Sequence, residues 1–311
     1  MEYNAYQALR ERCAFIDLTG RGKIRVTGED RVRLLHAMST NHVQQLVPGT
    51  GCYAFFLNPQ GRILADVNIY AMPDHLLLDT EAGSVATIME HLDRFIIADD
   101  VALQDVTAEL ATITVEGPAA EHVLLELGAL PAHVPYSLVE WNAHSLIAHW
   151  SYTGGPGYAI YVPVAEKQAL MDRLSAALVP HADLETADVV RLENHHPRYG
   201  VDFSDAQIPH ETQQMHAIHF SKGCYIGQEI VERVRSRGQV NRQLTAIEID
   251  AQEPPATKTQ VQSGGRDLGE ISSAAYSPAL GKVVAFAVLR ADARKPGIEL
   301  TVAGADANLP D

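Results

Sequence analysis

Hydrophobic and polar positions change their period along this chain in a way that divides it into three stretches. "IRVTGEDRVRLLHAMST", Ile24 to Thr40, opens with the alternation of a half-buried strand and turns at Gly28. It then meets acidic residues at a helix start and continues with apolar residues at helical spacing. "ATITVEGPAAEHVLLELG", Ala111 to Gly128, repeats that layout with Pro118 in the first helical turn. Leu34 and Leu35 follow Gly28, and Val123, Leu124 and Leu125 follow Gly117, at nearly equal offsets. Each unit runs on into strand-like segments and a second helical one. These are "RILADVNIYAM", "HLLLDTE" and "SVATIMEHLDRFI" in the first unit, and "HSLIAHWSY", "YAIYVPV" and "EKQALMDRLSAAL" in the second. The pattern predicts a duplicated α+β unit with two helices over an antiparallel sheet in each.

The period changes twice more. "DLETADVVRLENHHPRYG", Asp183 to Gly200, starts as a helix and must stop before Pro197. An irregular stretch rich in His, Gln and Pro follows. "KGCYIGQEIVERVRS" then passes from a glycine-rich loop into a helix, with Gly227 near its start and Gln228 and Glu229 in its first turn. After Asn241 the helical period disappears, and seven strand-like runs divided by Gly, Pro and Asp turns predict a small barrel or sandwich. The expected division is residues 1–237 for the α+β region and 241–311 for the β domain.

Composition narrows the function classes. Hydrophobic residues make up 46% and charged residues 20%, an ordinary globular balance. The net charge of −15 argues against general binding to nucleic acid or to anionic membranes, while leaving room for a local basic pocket. No apolar run approaches the length of a membrane span, and the N-terminus shows no secretory pattern. Cys13, Cys52 and Cys224 are far apart and form no Cys-x-x-Cys pair, which fits reduced thiols in a cytoplasmic protein and gives no local metal site. No P-loop or dinucleotide fingerprint is present.

Among the candidate residues Cys224 stands apart. Cys52 lies in the apolar "GCYAFF", as a structural cysteine does. Cys224 sits between Lys222 and Tyr225 among glycines, just before a helix, and a nearby ammonium and a helix N-terminus both favour a thiolate. His195, His196, His210, His216 and His219 crowd into 25 residues. Hydrated or hydrogen-bonded loop histidines are the expectation for them, although His216 and His219 are spaced to share a metal on one helical turn. Taken alone, Asp66 reads as a solvated acid after a glycine turn, and Arg191 as an arginine paired with Glu193 or Asp188.

The segment "IPHETQQMHAIHFSKGCYIGQEIVERVRSRGQVNRQL" resembles the signature of YgfZ-type folate-binding proteins, relatives of the glycine-cleavage T-protein (aminomethyltransferase). The likeness extends to "RVTGEDRVRLLHAMSTNHV" and "GCYAFFLNPQGRILADV", to "VVRLENHHPRYG", and to the β tail. It implies two ferredoxin-like α+β domains and a C-terminal β-barrel around a central cavity for tetrahydrofolate. It also implies a role in supporting iron–sulfur enzymes, with reduced folate and iron–sulfur client proteins as partners. A folate-dependent one-carbon (aminomethyl) transferase and a non-catalytic folate sensor or scaffold are the alternatives. By the same resemblance Arg191 meets the folate tail, Asp66 lies near the pterin as a catalytic acid, and Cys224 and Lys222 act at the rim beside Tyr225. Two departures count against transfer. Ala65 replaces the first of two adjacent acids in the T-protein, and Ala159 stands where a glutamate there grips the pterin's amino and ring N–H groups. The family pattern supplies no metal ligands.

Overall fold

The computed structural model describes residues 4–310. Two sheets of like connectivity, the first antiparallel and the second antiparallel except for the parallel pairing of Ala14–Asp17 with His181–Ala182, are followed by a closed six-stranded barrel. The first sheet runs Gly51–Leu57, Ile63–Ala71, Leu76–Thr80, Gly22–Thr27, Ala102–Asp105 in spatial order, with helices Arg31–Met38 and Val85–Asp93 on one face. The second runs Leu138–Asn142, Ser145–Ala148, Gly157–Pro163, Leu110–Glu116, Ala14–Asp17, His181–Ala182, with helices Ala120–Glu126 and Lys167–Ala176. The duplication expected from the hydrophobic pattern is therefore present. Among the strands outside that pattern, Ala14–Asp17, from the start of the chain, inserts between Leu110–Glu116 and His181–Ala182 of the second unit.

The matching glycines explain why both units open alike. Gly28 and Gly117 have φ of +99° and +123°. A Cβ on Gly28 would lie 2.0 Å from the Asp100 carbonyl oxygen, and one on Gly117 2.7 Å from that of Arg12. At each strand-to-helix turn a neighbouring backbone occupies the space of a side chain.

The helix-covered face of each sheet buries its own apolar cluster, around Ile24, Leu35, Phe56 and Leu92 in the first unit and Phe15, Ile113, Leu124 and Leu174 in the second. The helix-free faces meet each other. There Tyr70 and Leu77 pack against Leu138, Ala159 and Tyr161. Six barrel strands form where seven runs were expected: Arg242–Ile249, Gln260–Ser263, Arg266–Ser277, Lys282–Arg290, Leu300–Val302 and Ala305–Asn308. The last closes on the first through Glu248 and Asn308, which removes both sheet edges. A mixed cluster of Phe55, Leu57, Phe203, Ile218 and Tyr225 with Leu244, Val284 and Phe286 seats the barrel on the first unit.

Candidate active site

Where the two helix-free sheet faces meet, the apolar end gives way to a polar one, and a cleft of about 480 Å³, counting its open mouth, lies there. Side chains alternate across a strand, so Asp66 and Asn68 of Ile63–Ala71 both face this cleft, while Ala65 and Val67 point into the helix-covered core. The remaining walls come from Tyr53, Arg21, Glu81, Tyr136, Trp150, Tyr152, His196, Arg198 and His216.

Asp66 is a buried carboxyl on the cleft wall. Its Oδ2 accepts a 2.9 Å hydrogen bond from the Tyr53 hydroxyl, and its buried Oδ1 has no partner among the described residues. Burial pushes the carboxyl up to about 6. Arg21 and the Tyr53 hydrogen bond oppose that rise, and the negative Glu81 and Asp79 add to it. The nearby carboxylates are otherwise engaged. Asp79 accepts from Arg21 Nε at 2.8 Å and from the Tyr161 hydroxyl at 2.6 Å. Glu81 accepts from Arg21 at 2.8 Å and from Arg198 at 2.9 Å. Burial disfavours its charge, but the two guanidinium groups hold its carboxyl below the usual range. Glu116, buried behind the cleft, accepts from the backbone N–H groups of Tyr152 and Thr153 at 2.7 and 2.9 Å and so fixes the loop that carries Tyr152.

Aromatic rings line one wall. The Tyr53 ring is near-parallel to Tyr136, with centroids 6.3 Å apart, and to His216, at 5.2 Å. Arg21 lies over the Trp150 ring at 4.7 Å. Burial, with Arg191, His216 and Arg21 nearby, pushes His196 down to about 4, so it is neutral at pH 7.

Of the residues expected around the folate, Asp66 lines this cleft. Arg191 is placed elsewhere. Its side chain is 1% exposed and committed to Asp188 at 2.8 Å, Asp202 at 2.6 Å and the His196 carbonyl at 2.8 Å. The arginines that line the cleft are Arg21 and Arg198, the latter seven residues further on in the same quoted segment. Lys222 is buried, and its ammonium donates to the carbonyls of His36, Ser39 and Asn41 around the C-terminal end of helix Arg31–Met38. A cation there complements the helix dipole. Its engagement with these carbonyls takes the Lys222 charge out of the role expected beside Cys224. Tyr225 is buried in the barrel-docking cluster, and its ring lies 5.0 Å from the Lys222 ammonium. Cys224 is exposed in the loop before helix Gln228–Arg237, while burial raises the thiols of Cys13 and Cys52 to about 12.

His216 and His219 part company. His216 stacks on Tyr53 in the cleft, whereas His219 sits edge-on to His42 at 4.9 Å. Among the described residues no group of three or more His, Cys, Asp or Glu side chains is arranged to hold a metal ion. Ala159 is fully buried between Tyr70 and Tyr161, away from the cleft lining. A glutamate at that position would bury its charge in an apolar cluster, so Ala159→Glu is not expected to restore that grip on the pterin.

The aromatic wall and Arg198 escaped the sequence reading because their residues come from five separate segments. The one local signal was "HHPRYG", where a proline holds the backbone before Arg198.

Residues 3–222 match the GCVT N-terminal domain, and residues 242–310 match the glycine cleavage T-protein C-terminal barrel domain. The aminomethyltransferase of Geobacillus kaustophilus is 30% identical over 313 residues, covering 96% of this chain and 84% of that protein. That of Deinococcus deserti is 27% identical, covering 93% and 80%. In fold, the glycine cleavage system aminomethyltransferase T of Bartonella henselae superposes with a TM-score of 0.90 at 19% identity, over 99% of this chain and 87% of that one.

Proposed function

The chain belongs to the glycine cleavage T-protein family, and from that premise we propose that it binds tetrahydrofolate in the cleft between its two sheets and carries out folate-dependent one-carbon transfer. The observation that supports this reading best is Asp66, a cleft-lining carboxyl with one buried oxygen left unpartnered among the described residues and an acidity shifted to about 6. An acid–base group working near neutral pH is most effective when its own pKa lies close by.

The residues suit a reduced folate. The Tyr53, Tyr136 and His216 rings offer flat surfaces to a bicyclic ring, and Asp66 offers an acceptor to its N–H groups. Arg198, bound to Glu81 and to the Tyr152 hydroxyl, is the cation on the wall for an anionic tail. When bound, tetrahydrofolate supplies the nitrogen that carries the one-carbon unit. Asp66, held by Tyr53, would give or take the proton that this transfer moves, and the aromatic wall would orient the ring.

The narrower resemblance to YgfZ-type proteins rests on the signature segment "KGCYIGQE". The relatives quoted above are named aminomethyltransferase, which supports transfer over the iron–sulfur role that the signature implied. The test is calorimetric titration with tetrahydrofolate together with a transfer assay from an aminomethyl donor. Asp66→Asn is expected to keep the fold and lower the transfer rate by about 10²-fold or more. Equal rates in wild type and variant, or no binding of tetrahydrofolate to the wild type, would overturn the proposal.

A further inference from the structure

Asp66 has a companion. Asn68 lies two residues on along the same strand, 2% exposed, with its Oδ1 buried and unpartnered among the described residues. The strand's alternation puts both side chains on the cleft face, and both line the cleft. Two buried acceptor oxygens, each without a donor among the described residues, therefore belong to neighbouring side chains that line one cleft. That is costly in a protein interior, because every buried polar group without a partner loses its hydration for nothing.

Three of the donors on the cleft wall are already engaged elsewhere. Arg21 is held by Asp79 and Glu81, Arg198 by Glu81 and Tyr152, and the Tyr53 hydroxyl by the other oxygen of Asp66. A ligand that brings N–H groups would complete both acceptors. The near-parallel rings of Tyr53, Tyr136 and His216 on the adjoining wall add that the ligand is flat.

We infer that Asn68 is a specificity-determining residue that reads the donor edge of a flat, amino-substituted nitrogen heterocycle, its free Oδ1 accepting the amino N–H while Asp66 stays beside the nitrogen that carries the one-carbon unit. The inference rests on the folate reading above, in which the pterin end carries such an edge, an amino group beside a ring N–H. It also gives the grip a new place. The pair sits on the first sheet, while position 159 of the second sheet, alanine here, is sealed in the apolar contact between the sheets. A site built to hydrogen-bond a donor rejects an analogue that lacks it, because its own acceptors are then left unpaired.

The experiment pairs a ligand change with a residue change. Tetrahydrofolate and its 2-desamino analogue, in which hydrogen replaces the ring amino group, are titrated by calorimetry into the wild type and into Asn68→Leu. Thermal melts confirm that the variant is folded. The wild type is expected to bind the analogue about tenfold more weakly. Asn68→Leu is expected to bind tetrahydrofolate about tenfold more weakly and to distinguish the two ligands by no more than about twofold. An equal penalty for the analogue in both proteins would overturn the inference while leaving folate binding intact. So would wild type that binds the two ligands alike, a measurement that does not depend on the variant folding. Wild type that binds neither ligand would overturn the folate reading and this inference with it.

Discussion

At the scale of single residues, Asp66 carries a buried charge that costs stability near neutral pH. Its carboxyl is raised from about 3.8 in the unfolded chain to about 6 in the fold, so between those values the folded state binds more protons than the unfolded one. The stability this contributes is fully present below about pH 4 and is lost as the pH rises through about 6. Asp66→Asn is therefore expected to raise stability at pH 7 by up to about 3 kcal/mol, the equivalent of the shift, with the difference vanishing near pH 4. Chemical denaturation of both proteins across pH 4–8 checks this, and a variant less stable at pH 7 would contradict it. Arg21, Glu81, Asp79, Tyr53, Tyr136 and Tyr199 face the same carboxyl, and His196 and His216 share the cleft. The difference between the two proteins, not the wild-type curve alone, therefore reports Asp66.

At the scale of elements, the signature segment acts as a strut. Lys222 ties the end of helix Arg31–Met38 to the loop after it, and one of its acceptors is the Asn41 carbonyl. The Asn41 side chain in turn donates to the carbonyl of Tyr53 at 2.8 Å and to that of His216 at 3.1 Å, the two rings stacked in the cleft. Lys222→Met keeps the aliphatic stem but removes the donor, leaving buried carbonyls unpaired. The expected cost is about 2–3 kcal/mol of stability, together with weaker tetrahydrofolate binding as the Tyr53–His216 wall loosens. Denaturation and calorimetry on the same preparation read both effects. Unchanged stability would mean that water or another donor takes the place of the ammonium.

For the whole molecule, the barrel is part of the same structure as the cleft. Phe55, Leu57 and Ile63 flank Asp66 in the first sheet, and they bury apolar surface against Leu244, Val284 and Phe286 of the barrel. Asp202, which fixes Arg191, also accepts a hydrogen bond from Ser273 of the barrel. A chain ending at residue 241 would expose that apolar surface and lose the Ser273 contact. It is expected to melt at lower temperature than the full chain, or to aggregate, and to bind tetrahydrofolate more weakly. A truncated chain with the melting temperature and affinity of the whole protein would show the barrel to be an independent appendage.

Much of this was legible before any fold was known, because periodicity and turn glycines act over short stretches of chain. The two α+β units, the helix after Gly227 and the barrel strands all follow from local pattern, since a strand buries alternate residues and a helix every third or fourth. Asp66 was singled out by resemblance alone; its own neighbours read as those of a solvated acid, and the fold buries it instead. What the sequence left open was which polar residues would meet. Arg191 and Arg198 lie seven positions apart with equal chemistry. One faces Asp188 and Asp202 inside the helix packing and the other faces the cleft, because Arg191 falls on the inward face of helix Leu184–Glu193 and Arg198 beyond its end. Lys222 reads as a neighbour of Cys224 along the chain, yet its ammonium reaches carbonyls some 180 positions earlier. The strand Ala14–Asp17 joins a sheet whose other members start near residue 110. Contacts between distant segments are decided by how whole faces pack, and no local period records them.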